Sequence, residues 1–154
     1  MLSTQHFCCV LPDFAASGLL PPGIHHATWD EVVSRFGGTK QRARLLAGLK
    51  SALDELKIAG CARAYLNGSF VTAKERPGDF DLCYEPRGVD PMLLSPVFFD
   101  FTANRAAQKT RYGGELFPVN VQAVTGYNYL QFFQQSSDTG EAKGIVALDI
   151  QRLP

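Results

Sequence analysis

Residues 60–84 read Gly60-Cys61-Ala62-Arg63-Ala64-Tyr65-Leu66-Asn67-Gly68-Ser69-Phe70-Val71-Thr72-Ala73-Lys74-Glu75-Arg76-Pro77-Gly78-Asp79-Phe80-Asp81-Leu82-Cys83-Tyr84. Within 61–67, Ala62, Ala64 and Leu66 alternate with Arg63, Tyr65 and Asn67, the period of a strand. Gly68, Pro77 and Gly78 make the next stretch a loop. A second strand follows over 79–84, with Asp79 and Asp81 on one face and Phe80, Leu82 and Tyr84 on the other. Upstream, Thr39 is an N-cap and Gly60 a C-cap. Between them Ala43, Leu46, Leu49, Leu53 and Leu56 recur at spacings of three and four, which predicts a helix over 40–59.

Thr28 precedes Glu31 by three residues, a capping-box spacing that starts a short helix at Trp29 and ends it at Gly37-Gly38. The segment before it, punctuated by Leu20-Pro21-Pro22-Gly23, is expected to be extended or loop. Asp90-Pro91 opens a helix that Pro96 interrupts, and a second helical stretch runs from about 102 to 112. A strand is expected near 116–124, in which Pro118 implies an edge or a bulge. A short aromatic helix over 127–134, a turn at Ser137-Asp138-Thr139-Gly140 and a strand over 144–150 complete the chain. This succession predicts an α/β (α+β) fold, a small mixed sheet flanked by helices. It is expected as a single domain, 1–154, with an N-terminal extension over 1–38, a core over 39–124 and a C-terminal helix and strand over 125–154.

Composition narrows the function classes. The chain has 154 residues, 45% hydrophobic and 19% charged, with eleven Phe, which argues against disorder. No run approaches the ~18 apolar residues of a membrane helix. Residues 1–34 carry no Lys or Arg, so no signal peptide with a basic start is expected. Cys8, Cys9, Cys61 and Cys83 include no C-x-x-C, and His6, His25 and His26 all lie near the N-terminus, so a zinc site is not expected. Reduced thiols in a cytoplasmic protein are the simplest reading. The zero net charge conceals segregation: −3 over 1–34, +6 over 35–76, −4 over 77–100 and +1 beyond. A basic block abutting an acidic one suits a polyanion held with its metal counter-ions.

The chemistry concentrates in 68–82. Two carboxylates on one strand face repel unless hydrated or bridged by a cation. Mg²⁺, or Mn²⁺ in its place, suits Asp79 and Asp81, because Mg²⁺ takes one or two carboxylates plus phosphate oxygens and keeps several waters. Gly68 permits close backbone approach, and the Ser69 hydroxyl with neighbouring N–H groups can hold a phosphate. Phosphate and metal sites on neighbouring strands are what phosphoryl transfer needs.

A strand, Gly-Ser, a loop of about ten residues and Asp-x-Asp followed by an aliphatic residue together resemble the nucleotidyltransferase superfamily of the DNA polymerase beta type, especially its minimal prokaryotic members. The match covers about residues 40–85. The flanks Leu20-Pro21-Pro22-Gly23-Ile24-His25, Phe117-Pro118 and Lys143-Gly144-Ile145-Val146 also look like a family of short uncharacterised bacterial and phage proteins with this core. The resemblance implies that Gly68 and Ser69 cradle the triphosphate of an NTP, and that Asp79 and Asp81 hold Mg²⁺. It places Lys74 and Arg76 on the phosphates, against an equal case for loop solubility. It also implies a third carboxylate on a later strand. Asn120 stands where that Asp is expected, with Glu115 able to replace it only if a bulge at Pro118 brings it there.

Three readings follow from different classes. The first is a Mg²⁺-dependent enzyme moving a nucleoside monophosphate from an NTP to a hydroxyl on a protein, RNA or small molecule. The second is a nucleotidyltransferase fold impaired by Asn120, acting as a nucleotide-binding or protein-binding partner, for instance in a toxin–antitoxin or phage-related setting. The third is a nucleic-acid-binding module using the 35–76 block, which the neutral net charge and missing basic-aromatic motif disfavour. A homo-oligomer or protein partner is expected by analogy with minimal superfamily members. Arg42, Arg44 and Lys50 are expected on a solvated helix face. Phe98, Phe99, Phe101, Phe132 and Phe133 are expected in the core, with the option that some cover a nucleobase.

Overall fold

The computed structural model describes residues 10–124 and 126–154, so His6, Cys8 and Cys9 lie outside the described residues. The fold is mixed α+β: a five-stranded sheet, a two-stranded ribbon and four α-helices among the described residues. The large sheet contains β1 (Gly23–Ala27), β2 (Arg63–Asn67), β3 (Phe80–Tyr84), β4 (Gly114–Pro118) and β7 (Gly144–Asp149), in the order β1-β7-β2-β3-β4. β1 runs parallel to β7 and β3 parallel to β4, while β2 is antiparallel to both its neighbours.

Helix α1 (Trp29–Phe36) starts with the reciprocal Thr28–Glu31 capping box that the spacing predicts. Helix α2 (Lys40–Ile58) starts at Thr39, whose hydroxyl accepts from Arg42 N–H, and ends before Gly60 at φ 94°. Leu45, Leu46, Leu49, Ala52, Leu53 and Leu56 bury one face of α2 against Ala64, Leu66, Leu82, Leu116, Val146 and Leu148 of the sheet. Ala43 is exposed, and its expected place on the stripe falls to Arg42 and Leu45. Every β2 residue after Arg63 is buried, so the alternation in this strand divides two cores rather than core from solvent.

The second core is smaller. Tyr65, Cys83, Phe117, Ile145 and Ala147 form it on the opposite sheet face. Val119, Tyr129, Leu130 and Phe133 cover it, carried by the connection after β4 and by α4 (Tyr129–Phe132) with the residue that follows it, while β5 (Gln122–Val124) and β6 (Tyr127–Asn128) pair as a ribbon just before α4.

Four expectations are corrected. The 20–27 region is partly a strand, since β1 pairs residue for residue with β7. Of the 1–38 segment, the described residues 10–38 are no appendage, because Leu11, Leu20, Val32 and Phe36 belong to the main core. Two separate 3-10 turns, Pro91–Leu93 and Pro96–Phe99, replace the helix expected after Asp90. The 116–124 strand is two elements: β4 ends at Pro118 on the sheet edge, as proline requires, and 122–124 pairs with β6 instead.

The edge is closed by side chains from α3 (Thr102–Tyr112). Gln108, fully buried, accepts from Leu116 N–H at 2.8 Å and donates to the carbonyls of Val97 and Phe98 at 3.2 and 3.1 Å. Among the described residues, no helix is long and apolar enough to cross a membrane.

Candidate functional site

Strand register builds the site. Asn67 lies opposite Asp81, and Asp81 opposite Glu115, giving a polar row across β2, β3 and β4. One step along, Tyr65, Cys83 and Phe117 form an apolar row on the same face. Val119, Tyr129, Leu130 and Phe133 pack on the cluster that holds the apolar row, and no side chain of the polar row belongs to that cluster.

The Gly68-Ser69 turn meets the Asp-x-Asp strand directly. Gly68 has φ 76° and ψ −166°, a conformation open almost only to glycine. A Cβ there would overlap Oδ2 of Asp81. The glycine is therefore needed twice, by its backbone and by the carboxylate packed on it. Ser69 opens the 3-10 turn Ser69–Val71 and stays partly exposed.

The charges around Asp81 are dense. Burial first, then the nearby Asp79 and Glu115 carboxylates, push the Asp81 carboxyl up to about 7, against the opposing pull of Lys143 and Lys109. Asp79 sits just before β3, where burial raises its carboxyl and Lys109 and Lys74 pull it down. Lys109 Nζ lies 3.4 Å from Glu115 Oε1. Burial lowers Lys143, with Asp81 and Asp138 opposing the shift. Asn67, fully buried, donates to Tyr65 O at 3.0 Å and to Cys83 Sγ at 3.3 Å, while its Oδ1 has no partner among the described residues.

Asp79, Asp81, Gly68 and Ser69 are thus brought together, and Lys74 is near enough to act on Asp79. Arg76 is not placed there: it lines a surface cavity with Thr39, Lys40, Gln41 and Glu75 at the start of α2. The placement expected for Asn120 is corrected. It lies beyond the far end of β4, lining a cavity with Glu85, Pro86, Arg87 and Val119. In a parallel pair its distance from Glu115 along the chain becomes distance from Asp81 too. Glu115 lies opposite Asp81 with no bulge at Pro118, because the strand begins at Gly114, earlier than its apolar run suggests.

The sequence reading missed two lysines and an arginine. Lys109 and Lys143 come from α3 and the approach to β7, distant in sequence, and only the sheet order brings them to Asp81. Arg42 is buried rather than solvated. Its guanidinium donates to the carbonyls of Phe36, Phe70, Thr72 and Lys74 at 3.2, 2.7, 2.9 and 2.6 Å, and lies 5.2 Å from the Phe70 ring centre. It fixes the loop that follows Gly68-Ser69. Its signal was faint, a cation in register with the apolar stripe.

The aromatic expectation holds for Phe98, which is buried, but Phe99, Phe101 and Phe132 are exposed. The Arg105 guanidinium lies 4.2, 4.9 and 5.7 Å from the ring centres of Phe117, Phe101 and Tyr129. Its backbone, with Ala103 and Asn104, is left-handed.

Among the described residues, no three His, Cys, Asp or Glu side chains converge closely enough to enclose an ion. Asp79 and Asp81 instead offer hard oxygen ligands in an acidic setting that a cation would relieve. This donor set fits Mg²⁺ or Mn²⁺ at an open site, with Asp79 and Asp81 as the residues that would hold it, and not a closed structural one.

The family model described as "Family of unknown function (DUF6932)" matches residues 12–149, and the chain belongs to that family. No curated protein and no solved structure matches the chain.

Proposed function

We propose that the protein is a Mg²⁺-dependent nucleotidyltransferase, moving a nucleoside monophosphate from an NTP to a hydroxyl acceptor. The observation that carries this reading is the register that sets Asp81 between Gly68 and Glu115, with Asp79 one residue before the strand. Asp79 and Asp81 would hold the metal, which when bound neutralises phosphate charge and lowers the pKa of an attacking hydroxyl. Gly68 and Ser69 offer backbone N–H groups and a hydroxyl to the triphosphate, and Lys143 and Lys74 add positive charge near it. The acceptor oxygen bonds to the α-phosphorus, and the bond from that phosphorus to the β-phosphate oxygen breaks. Pyrophosphate leaves with the electron pair, and the acceptor proton passes to Glu115.

Nucleotide binding without turnover is a second reading. The Lys109–Glu115 ion pair favours it, since a carboxylate oxygen engaged by an ammonium is not free to take the acceptor proton. Incubation with α-labelled NTPs, Mg²⁺ and a panel of hydroxyl acceptors separates the two. Transfer by wild type, lost by at least 100-fold in Glu115→Gln while NTP binding persists, is the expected result. Retained transfer in Glu115→Gln contradicts the base assignment, and NTP binding with no transfer to any acceptor selects the second reading.

A further inference from the structure

Arg105 is held in an unusual way. Ala103, Asn104 and Arg105 are left-handed at φ 49°, 55° and 58°, a region that residues other than glycine enter singly and not three in succession. The turn lays the guanidinium 4.2 Å from the centre of the Phe117 ring, with Phe101 at 4.9 Å and Tyr129 at 5.7 Å. Packing alone does not account for it. Arg42, the buried structural arginine, directs its donors to four carbonyls. Among the described residues Arg105 donates only from Nη2 to the Tyr129 hydroxyl, at 3.2 Å. Its Nε is buried with no partner there, and no carboxylate of those residues lies within ion-pair distance. A strained backbone thus presents a planar, unsatisfied donor group, and strain of this kind gathers where ligands are held.

We propose that Arg105 reads the base of the donor nucleotide and selects guanine. The inference rests on the nucleotidyl-transfer reading and names its donor as GTP. Phe117 follows Glu115 by two residues on the same face of β4, and stands opposite Cys83 as Glu115 stands opposite Asp81. The ring under Arg105 therefore belongs to a residue about 7 Å farther along β4 than Glu115. Lys109, later in α3, reaches Glu115 itself, so α3 follows β4 with one cation beside each of these two residues. Lys74 and Lys143 act on Asp79 and Asp81, and Gly68-Ser69 adjoins Asp81, which supplies the phosphates and leaves Arg105 to the nucleoside. The half-exposed Phe101 ring offers a face on which a base stacks. Guanine alone of the four bases presents two neighbouring acceptors, O6 and N7, on one purine edge, the pair a guanidinium fork engages. Adenine sets an amino donor beside N7 and meets the fork donor to donor.

The test uses the full chain with Mg²⁺, and its first half needs no variant. GTP, ATP, CTP, UTP, inosine triphosphate, a deazaguanosine triphosphate that lacks N7, and tripolyphosphate are titrated in separate arms. GTP and inosine triphosphate, which share O6 and N7, should bind about tenfold or more tighter than ATP, CTP and UTP, and the deaza analogue about threefold or more weaker than GTP. Arg105→Met keeps an apolar chain over Phe117 and removes the donors. In this variant, its fold checked by circular dichroism, GTP should fall to the affinity of ATP while tripolyphosphate stays within about twofold. Binding by wild type without base preference, preference for another base, or full affinity for the deaza analogue overturns the proposal. So does an equal loss for GTP and tripolyphosphate in the folded variant, which would place Arg105 on the phosphates. No Mg²⁺-dependent binding in any arm would remove the transfer reading and this inference with it, a result distinct from binding without preference.

Discussion

Gly68 and Asp81 constrain each other. Any side chain at 68 strains the backbone at φ 76° and overlaps the Asp81 carboxylate. Gly68→Ala is expected to cost about 2–4 kcal/mol in urea unfolding, since an unusual φ/ψ alone costs on the order of 1–3 kcal/mol. Asp81 is expected to reveal itself by pH. Its carboxyl is raised in the folded protein to about 7, so the folded state holds a proton that the unfolded chain has already released. That stability is complete below the unfolded value near pH 4 and is lost as pH rises through about 7. Thermal unfolding in a chelator should therefore fall between pH 5 and pH 8 for wild type, and Asp81→Asn should flatten this slope and be the more stable at pH 8, by on the order of 2 kcal/mol. A wild-type curve with the opposite slope would mean that Asp81 is ionised and satisfied in the free protein. A site residue whose removal stabilises the fold is what a cation-binding position predicts.

The loop between β2 and β3 owes its shape to Arg42, which reaches the carbonyls of residues 70, 72 and 74 from α2. Arg42→Lys keeps the charge but not the planar fork, and is expected to lose about 2 kcal/mol or more in urea unfolding, with faster amide exchange over the loop. Full stability in Arg42→Lys would show that the charge alone suffices. The elements themselves were largely legible. Capping residues at Thr28 and Thr39, glycine at 60 and the two-residue period of 63–67 and 80–84 act through local chemistry, so they act in the sequence too. Pro118 was legible as an edge residue but not as a strand end, because proline permits either. Arg42 was misread because period marks a face, and burial of a cation on that face depends on carbonyls some thirty residues away.

At the level of the whole molecule, the sheet order determines what the site is. β7 inserts between β1 and β2, which carries Lys143 to Asp81, and β4 lies beside β3 in parallel, which carries Glu115 there and Asn120 away. Neither follows from local pattern, since register and order are set by long-range packing of the two cores. The Gly68-Ser69 and Asp79/Asp81 half of the site could be read from one short segment; its third carboxylate and its lysines could not. In the proposed function these halves form one metal-dependent nucleotide site. Calorimetric titration of NTP, with and without Mg²⁺, on wild type and on Asp79→Asn/Asp81→Asn tests it most directly. Binding to wild type that requires Mg²⁺ and falls at least 50-fold in the folded double variant is the expected result. Binding of no NTP by folded wild type, or binding indifferent to both aspartates, would contradict it.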